Sequence, residues 1–379
     1  MIPVAEPSIG QQELRNITEA VESGWISSIG KFIPEFEEKF AAYCETKYGI
    51  ATSSGTTALH LALIALGIEP GDEIIIPTLT FVATANAVIY TGARPVFVDS
   101  HPDYWCINPE NIEEAITPRT KAIIPVHLYG HPCDMDAILD IARRHNIYVI
   151  EDAAEAHGAE YKGKRAGSFG DISCFSFYGN KIITTGEGGM CVTSNKQLAD
   201  KMKTLRDHGM NPDKRYWHDI IGFNYRMTNM QAAIGVAQLE RIDEFVEKKR
   251  ELAGWYSEGL KDLAENKLVT LHPEMPWAKC VYWMYCILLE DKSSVSRDEL
   301  MKRLKNEGID TRTLFYPMHV LPPYRYGGKF PIAEELSQKG VNLPSGVTLT
   351  GKDTTSVITA VKMLLQQKGG KDKEVNQGT

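Results

Sequence analysis

Short apolar runs alternate with longer amphipathic stretches through the first two thirds of the chain. Ile74-Ile75-Ile76, Pro95 to Val98, Ala122 to Val126 and Tyr148 to Ile150 are continuous and β-branched, the pattern of strands buried on both faces. Between them lie segments of helix length, such as Phe81 to Tyr90 and Met135 to His145. Parallel neighbours need a crossover, so repeated strand-helix-strand units predict an α/β fold with a mostly parallel sheet between two helical layers. Chemistry is expected at the carboxyl ends of the strands.

After Gly222 the pattern changes. Thr228 with Gln231 three residues on is a capping box, and it predicts one long helix to about Lys248 or beyond, leading out of the main domain. A strand-like run follows from Val281 to Leu289, then a second helix start at Ser296 with Glu299, and a last helix near Asp353 to Leu365. These elements predict a large α/β domain over 1–245, whose N-terminal segment is free to pack on its neighbour, and a smaller α+β domain over 246–367. The polar end, 368–379, has the composition of a disordered tail. No period of 20 to 50 residues repeats, which excludes solenoids and propellers.

Composition narrows the function without naming it. With 379 residues, 43% hydrophobic and 24% charged, the chain has material for a full core. A net charge of -8 offers no basic field for a nucleic-acid backbone. Seven cysteines without a CxxC pair suggest reduced thiols, and with no leader pattern and no 18-residue apolar run the expectation is a soluble cytoplasmic protein with no membrane partner. His127, His131 and Cys133 have loose metal-ligand spacing, but Gly130 and Pro132 preclude a helix between them, so no metal site is expected. Gly186-Glu187-Gly188-Gly189 is not a dinucleotide fingerprint, and no Walker A sequence occurs.

Three segments carry chemistry. Thr52 to Leu59 sets small and hydroxyl residues between a strand and an apolar helix, which aims free N–H groups at one point where an anion such as a phosphate would bind; a plain N-cap is the equal alternative. Glu151-Asp152-Ala153-Ala154-Glu155 brings a carboxylate to the sheet edge, flanked by alanines that leave room for a flat group. A protonated pyridine nitrogen would pair with such an acid, although an Asp there, taken alone, is more often a helix N-cap. In Ser173 to Gly189, Lys181 sits between an apolar strand and a glycine-rich turn. Desolvation there lowers a lysine's pKa and frees its amine for Schiff-base formation, while Ser176 is within reach of the same phosphate.

Ser54 to Leu59, Glu151 to Ala154, Phe175 to Lys181 and Gly222 to Met227, in this order and at these separations, resemble the sugar-aminotransferase (DegT/DnrJ) family of fold-type I pyridoxal-phosphate enzymes. The similarity runs from about Ile2 to Leu365. It implies that Lys181 anchors pyridoxal 5'-phosphate, that Asp152 pairs with its pyridine nitrogen and that Phe81 stacks on its ring. It also implies that Gly55, Thr56 and Ser176 hold the phosphate, with Asn224 reaching in from the second subunit of a homodimer with shared sites. Glu155, where many relatives have glutamine, would lie near the cofactor's 3-oxygen. Trp25 and Ser28 in one segment, and Tyr316 and His319 in another, would border the nucleotide sugar.

The implied reaction takes an amino group from L-glutamate to a keto carbon of a nucleotide-linked 4-keto-6-deoxysugar. Trp25 to Gly30, Val126 to Gly130 and Phe315 to His319 most resemble members acting at C4 of GDP-4-keto-6-deoxymannose. The alternatives are a UDP- or dTDP-linked sugar, a sugar dehydratase on the same scaffold, and a catalytically silent regulator. The dehydratases replace the anchoring lysine with histidine, and a silent regulator has no need of Lys181, Asp152 and Ser176 together.

Overall fold

One face of each apolar strand serves one core and the other face a second, in the computed structural model, which describes residues 1–366. The main sheet is built from β1 (Tyr48–Thr52), β2 (Glu73–Pro77), β3 (Arg94–Val98), β4 (Thr120–Ile123), β5 (Tyr148–Asp152), β8 (Ile172–Ser176) and β9 (Gly189–Thr193), in the order β1-β9-β8-β5-β4-β2-β3. Only β9 runs against its neighbours. Ile75, Ile123, Val149 and Phe175 face one core with helices Phe32–Tyr43, Met135–His145 and Asn229–Leu239. Ile74, Ile76, Ala122, Ile150 and Cys174 face the other, with Gly55–Leu66, Val82–Tyr90 and Lys196–Arg206. This is the period of two that a strand imposes, and it gives the doubly covered sheet expected of the α/β pattern.

A hairpin of β6 (Glu160–Tyr161) and β7 (Lys164–Arg165) pairs with β11 (Ala278–Lys279). The C-terminal part has a four-stranded sheet of β10 (Val269–Leu271), β12 (Tyr285–Leu289), β14 (Gly340–Leu343) and β13 (Arg312–Thr313). Its own core packs against helices Ile242–Gly259, Arg297–Asn306 and Gly351–Gln366. Ile2 pairs with Ile309, and Val4 accepts the Ser345 N–H, so the N-terminus lies on this part of the chain. All seven cysteines are free and buried. Among the described residues no helix is long and apolar enough to cross a membrane. The predicted tail lies outside the described residues.

Three expectations need correction. The long helix after Thr228 is two, Asn229–Leu239 and Ile242–Gly259. Arg241 leaves helical geometry (φ -111°, ψ 5°), and its side chain, like that of Gln238, bonds to Ser8 and Glu13. The strand expected from Val281 begins only at Tyr285, because Tyr282 has φ +46° and Val281 bonds to Gly130 rather than to a ladder. The run from Ala122 leaves the sheet's regular ladder after Ile123, and its end makes one isolated bridge, Val126 to Asp152.

Candidate active site

β5 and β8 are parallel neighbours, so Asp152 and Ser176, each the last residue of its strand, reach the same carboxyl edge. Asp152 is buried; its Oδ2 accepts from Thr84 Oγ1 at 2.7 Å and its Oδ1 from the Ala154 N–H at 3.2 Å. Burial raises its pKa, against the lowering by these donors and by the charge of Lys181. No helix follows Asp152, so it caps nothing.

Glu155 is held at one end and open at the other. Its Oε2 accepts the Tyr129 N–H at 2.8 Å, and its Oε1 stands 3.6 Å from Lys181 Nζ. Burial pushes Glu155 up to about 7, with the Lys181 charge and the Tyr129 N–H opposing. Burial likewise lowers Lys181, with Glu155 and Asp152 pulling the other way. The Lys181 amine also lies 3.8 Å from the centre of the Trp283 ring. That indole donates to Asn180 O at 2.7 Å and stacks with Tyr129 and Phe315.

Glu151 secures the floor. Its carboxylate accepts from His127 Nε2, from the N–H groups of Gly167, Phe169 and Gly170, and from Ser173 Oγ. Burial alone would raise it, but these donors hold it below the ordinary range. The Cys133 N–H donates to His127 Nδ1, which leaves the ring proton on Nε2 for Glu151.

One end of the cavity is a helix start. Ser54 caps Gly55–Leu66 by accepting the Thr57 N–H, and Ala58 bonds to Ser54 O, so the cap leaves the N–H groups of Gly55 and Thr56 for another acceptor. The N-cap reading of this segment is therefore what the structure shows, and the cap does not use the two amides that an anion would need. A Cβ at Gly55 would lie 2.7 Å from Ser176 Cβ and 3.2 Å from its Oγ, so only glycine keeps this corner open.

Gly55, Thr56, Phe81, Asp152, Glu155, Ser176 and Lys181 line one cavity of about 350 Å³. Phe81 is half exposed at its mouth, 5.6 Å from Phe315. The other expected site residues lie elsewhere in the chain. Asn224 is exposed on a segment that pairs with Asp207. Trp25 lines a separate depression beside Asn229, which donates to its carbonyl, and Ser28 is half-buried on the same loop. Tyr316 is exposed on a second cavity that shares Tyr178, Asn180, Trp283 and Phe315 with the first. His319 has both ring nitrogens engaged, with Thr78 Oγ1 at 2.7 Å and Glu334 Oε1 at 3.1 Å. Among the described residues no group of three or more His, Cys, Asp or Glu is arranged to hold a metal.

Sequence reasoning missed Trp283, Tyr129 and Thr84. The Thr80 and Thr84 hydroxyls, four apart at an apolar helix start and 3.0 Å from each other, were a readable signal; Trp283 gave none, being buried in a supposed strand.

A buried, amine-bearing lysine, a carboxylate at a strand end and a glycine-lined helix start around one cavity fit pyridoxal 5'-phosphate, and with this sheet they define the class of fold-type I pyridoxal-phosphate-dependent aminotransferases. The chain belongs to the DegT/DnrJ/EryC1/StrS aminotransferase family, which it matches over residues 7–362. It is 51% identical to a GDP-perosamine synthase of Caulobacter vibrioides, over 96% of this chain and 98% of that one. To the GDP-perosamine synthase of Escherichia coli O157:H7 it is 48% identical, over 97% and 99%. Among solved structures, DesV of S. venezuelae superimposes with a TM-score of 0.88 at 38% identity, covering 94% of this chain and 95% of that one. The PMP form of the putative sugar aminotransferase Spr1654 from Streptococcus pneumoniae gives 0.90 at 27% identity, covering 96% and 97%.

Proposed function

We propose that the protein transfers an amino group from L-glutamate to C4 of GDP-4-keto-6-deoxymannose, giving GDP-perosamine. The approach of Lys181 Nζ to Glu155 Oε1 beside Asp152 carries the aminotransferase reading. The near full-length similarity to GDP-perosamine synthases, at 51%, 48% and 42% identity, favours this substrate over UDP- or dTDP-linked sugars.

When bound, pyridoxal phosphate draws electrons into its pyridine ring and so eases removal of a proton from the carbon next to the transferred nitrogen. The remaining work falls to this chain. Asp152, oriented by the Thr84 hydroxyl, would hold the ring nitrogen's proton. Gly55, Thr56 and Ser176 hold the phosphate, and Phe81 covers the ring. Lys181 would anchor the cofactor, and its free Nζ would take up and return a proton. Glu155 Oε1 is the nearby acceptor that keeps that proton inside the cavity.

The same reading makes the working unit a homodimer in which Asn224 completes the partner's cofactor site. Its exposure supports this, as does that of Tyr216, Trp217, Ile220 and Ile221 shortly before it. Trp25, Ser28, Tyr316 and His319 would then border the sugar nucleotide at the seam. The division near residue 245 fits helix Ile242–Gly259, whose first turns enter the main core and whose later turns enter the C-terminal one. Free buried cysteines fit a cytoplasmic enzyme.

The test begins with the visible band of the loaded protein, its fixation by borohydride and its bleaching by L-glutamate. Lys181→Ala is expected to lose both the fixed bond and turnover. The bleached protein is then offered GDP-, UDP- and dTDP-linked 4-keto-6-deoxysugars; full turnover in Lys181→Ala, or preference for a sugar not linked to GDP, counts against the proposal.

A further inference from the structure

Lys249 lies within helix Ile242–Gly259 and is 3% exposed. Among the described residues it has no carboxylate partner. Its Nζ donates instead to two main-chain oxygens, Trp283 O at 2.8 Å and Ser345 O at 2.5 Å. A buried amine is expensive unless its protons are satisfied, and burial pulls this one down to about 7. Filling the core would need only an aliphatic side chain. The amine is explained by what it holds.

The start of the segment it holds is tied down at Cys280, by Glu274 and Arg250, and at Val281, by Gly130, while the Trp283 carbonyl rests on Lys249. Cys280 to Met284 precedes β12 and forms no regular ladder; Tyr282 has φ +46°. Trp283 is fixed from two sides, by Asn180 O on its indole and by Lys249 on its carbonyl. Ser345 is itself tied down, donating its N–H to Val4 and accepting the Tyr285 N–H on its hydroxyl. Lys249 therefore braces the Trp283 backbone against a fixed point. The far side of that residue is the indole ring, 3.8 Å from Lys181 Nζ.

We propose that Lys249 is a positioning residue which holds the Trp283 ring over Lys181 and so sets how firmly Lys181 keeps its proton. A π face at this distance stabilises the charged amine, and a tilt of the ring weakens that support. The inference rests on the reading of Lys181 as cofactor anchor.

The experiment is a spectrophotometric pH titration of the pyridoxal-phosphate-loaded, full-length protein, in which the midpoint of the colour change reports protonation at Lys181 Nζ. Lys249→Met is expected to lower the midpoint by about half a unit or more. Trp283→Phe should move it the same way, and the double variant no further, since both act through one ring. Lys249→Arg, which keeps donors for the carbonyls, should recover part of the shift. If Lys249→Met does not fold, Lys249→Gln carries the same comparison.

An unmoved midpoint in folded Lys249 variants overturns the inference, because a packing role alone would lower the melting temperature and leave the titration in place. Additive shifts in the double variant overturn it too. If the unsubstituted protein shows no band, the reading of Lys181 fails instead.

Discussion

Glu155 and Asp152 are both buried carboxyls raised by burial, yet their surroundings give them different work. Thr84 and Ala154 donate to Asp152, whereas Glu155 has one N–H and the Lys181 amine. Removing the Thr84 hydroxyl costs a hydrogen bond to a charged group, about 1.5–3 kcal/mol. Thr84→Val is therefore expected to slow turnover about tenfold or more while circular dichroism stays unchanged.

Glu155 has a value in the folded chain, about 7, above its ordinary 4.5, so the folded chain binds this proton more tightly than the unfolded chain. Its contribution to stability is present at low pH and is lost as pH rises through that window. Glu155→Gln is expected to flatten the fall in melting temperature of the cofactor-free protein between about pH 5 and pH 8. An unchanged slope in scanning calorimetry would place the titration elsewhere. At this scale the sequence was most readable where a residue type and a strand end coincided, as at Asp152 and Lys181. Trp283 and Lys249 act through contacts with positions distant in sequence, for which a local pattern has no sign.

Among the elements, helix Gly55–Leu66 makes the tightest demand on one residue. A methyl group at Gly55 would meet Ser176 at 2.7 Å, with β8 behind it. Gly55→Ala is expected to weaken pyridoxal-phosphate binding more than tenfold in a fluorescence titration, beyond the loss of melting temperature caused by displacing Ser176. Equal loss of stability and affinity would mean that the corner is structural rather than a cradle.

Helix and strand existence was legible from periodicity, and Met135–His145 matches its expected bounds. Boundaries failed where tertiary bonds decide. The break at Arg241 is held by Ser8 and Glu13, and the late start of β12 by Gly130, whose φ of +96° and lack of a Cβ let Tyr282 and Trp283 approach.

At the level of the whole molecule, the cavity of one chain holds every proposed cofactor contact except Asn224. Lys181→Ala and Asn224→Ala subunits, each inactive alone, are expected to regain activity when mixed. Random exchange leaves about a quarter of all sites with both residues. No recovery after exchange between differently tagged subunits is confirmed, or a fully active monomer by sedimentation, would remove the shared site.

The doubly covered sheet was readable because its strands are local and apolar; the placement of the N-terminus was not, since Ile2 and Val4 find partners only at Ile309 and Ser345. That junction has a consequence for how the protein is made. During synthesis Ile2 and Val4 leave the ribosome long before the segments that receive them, and they wait unpaired until Ile309 and Ser345 have emerged. Ser345 is also one of the two anchors of Lys249, so the brace behind Trp283 is among the last contacts available to a growing chain. A nascent chain halted before Ser345 is thus expected to have its main sheet but an unbraced Trp283, and bulky fusions at Met1 should slow the gain of enzyme activity more than the gain of secondary structure.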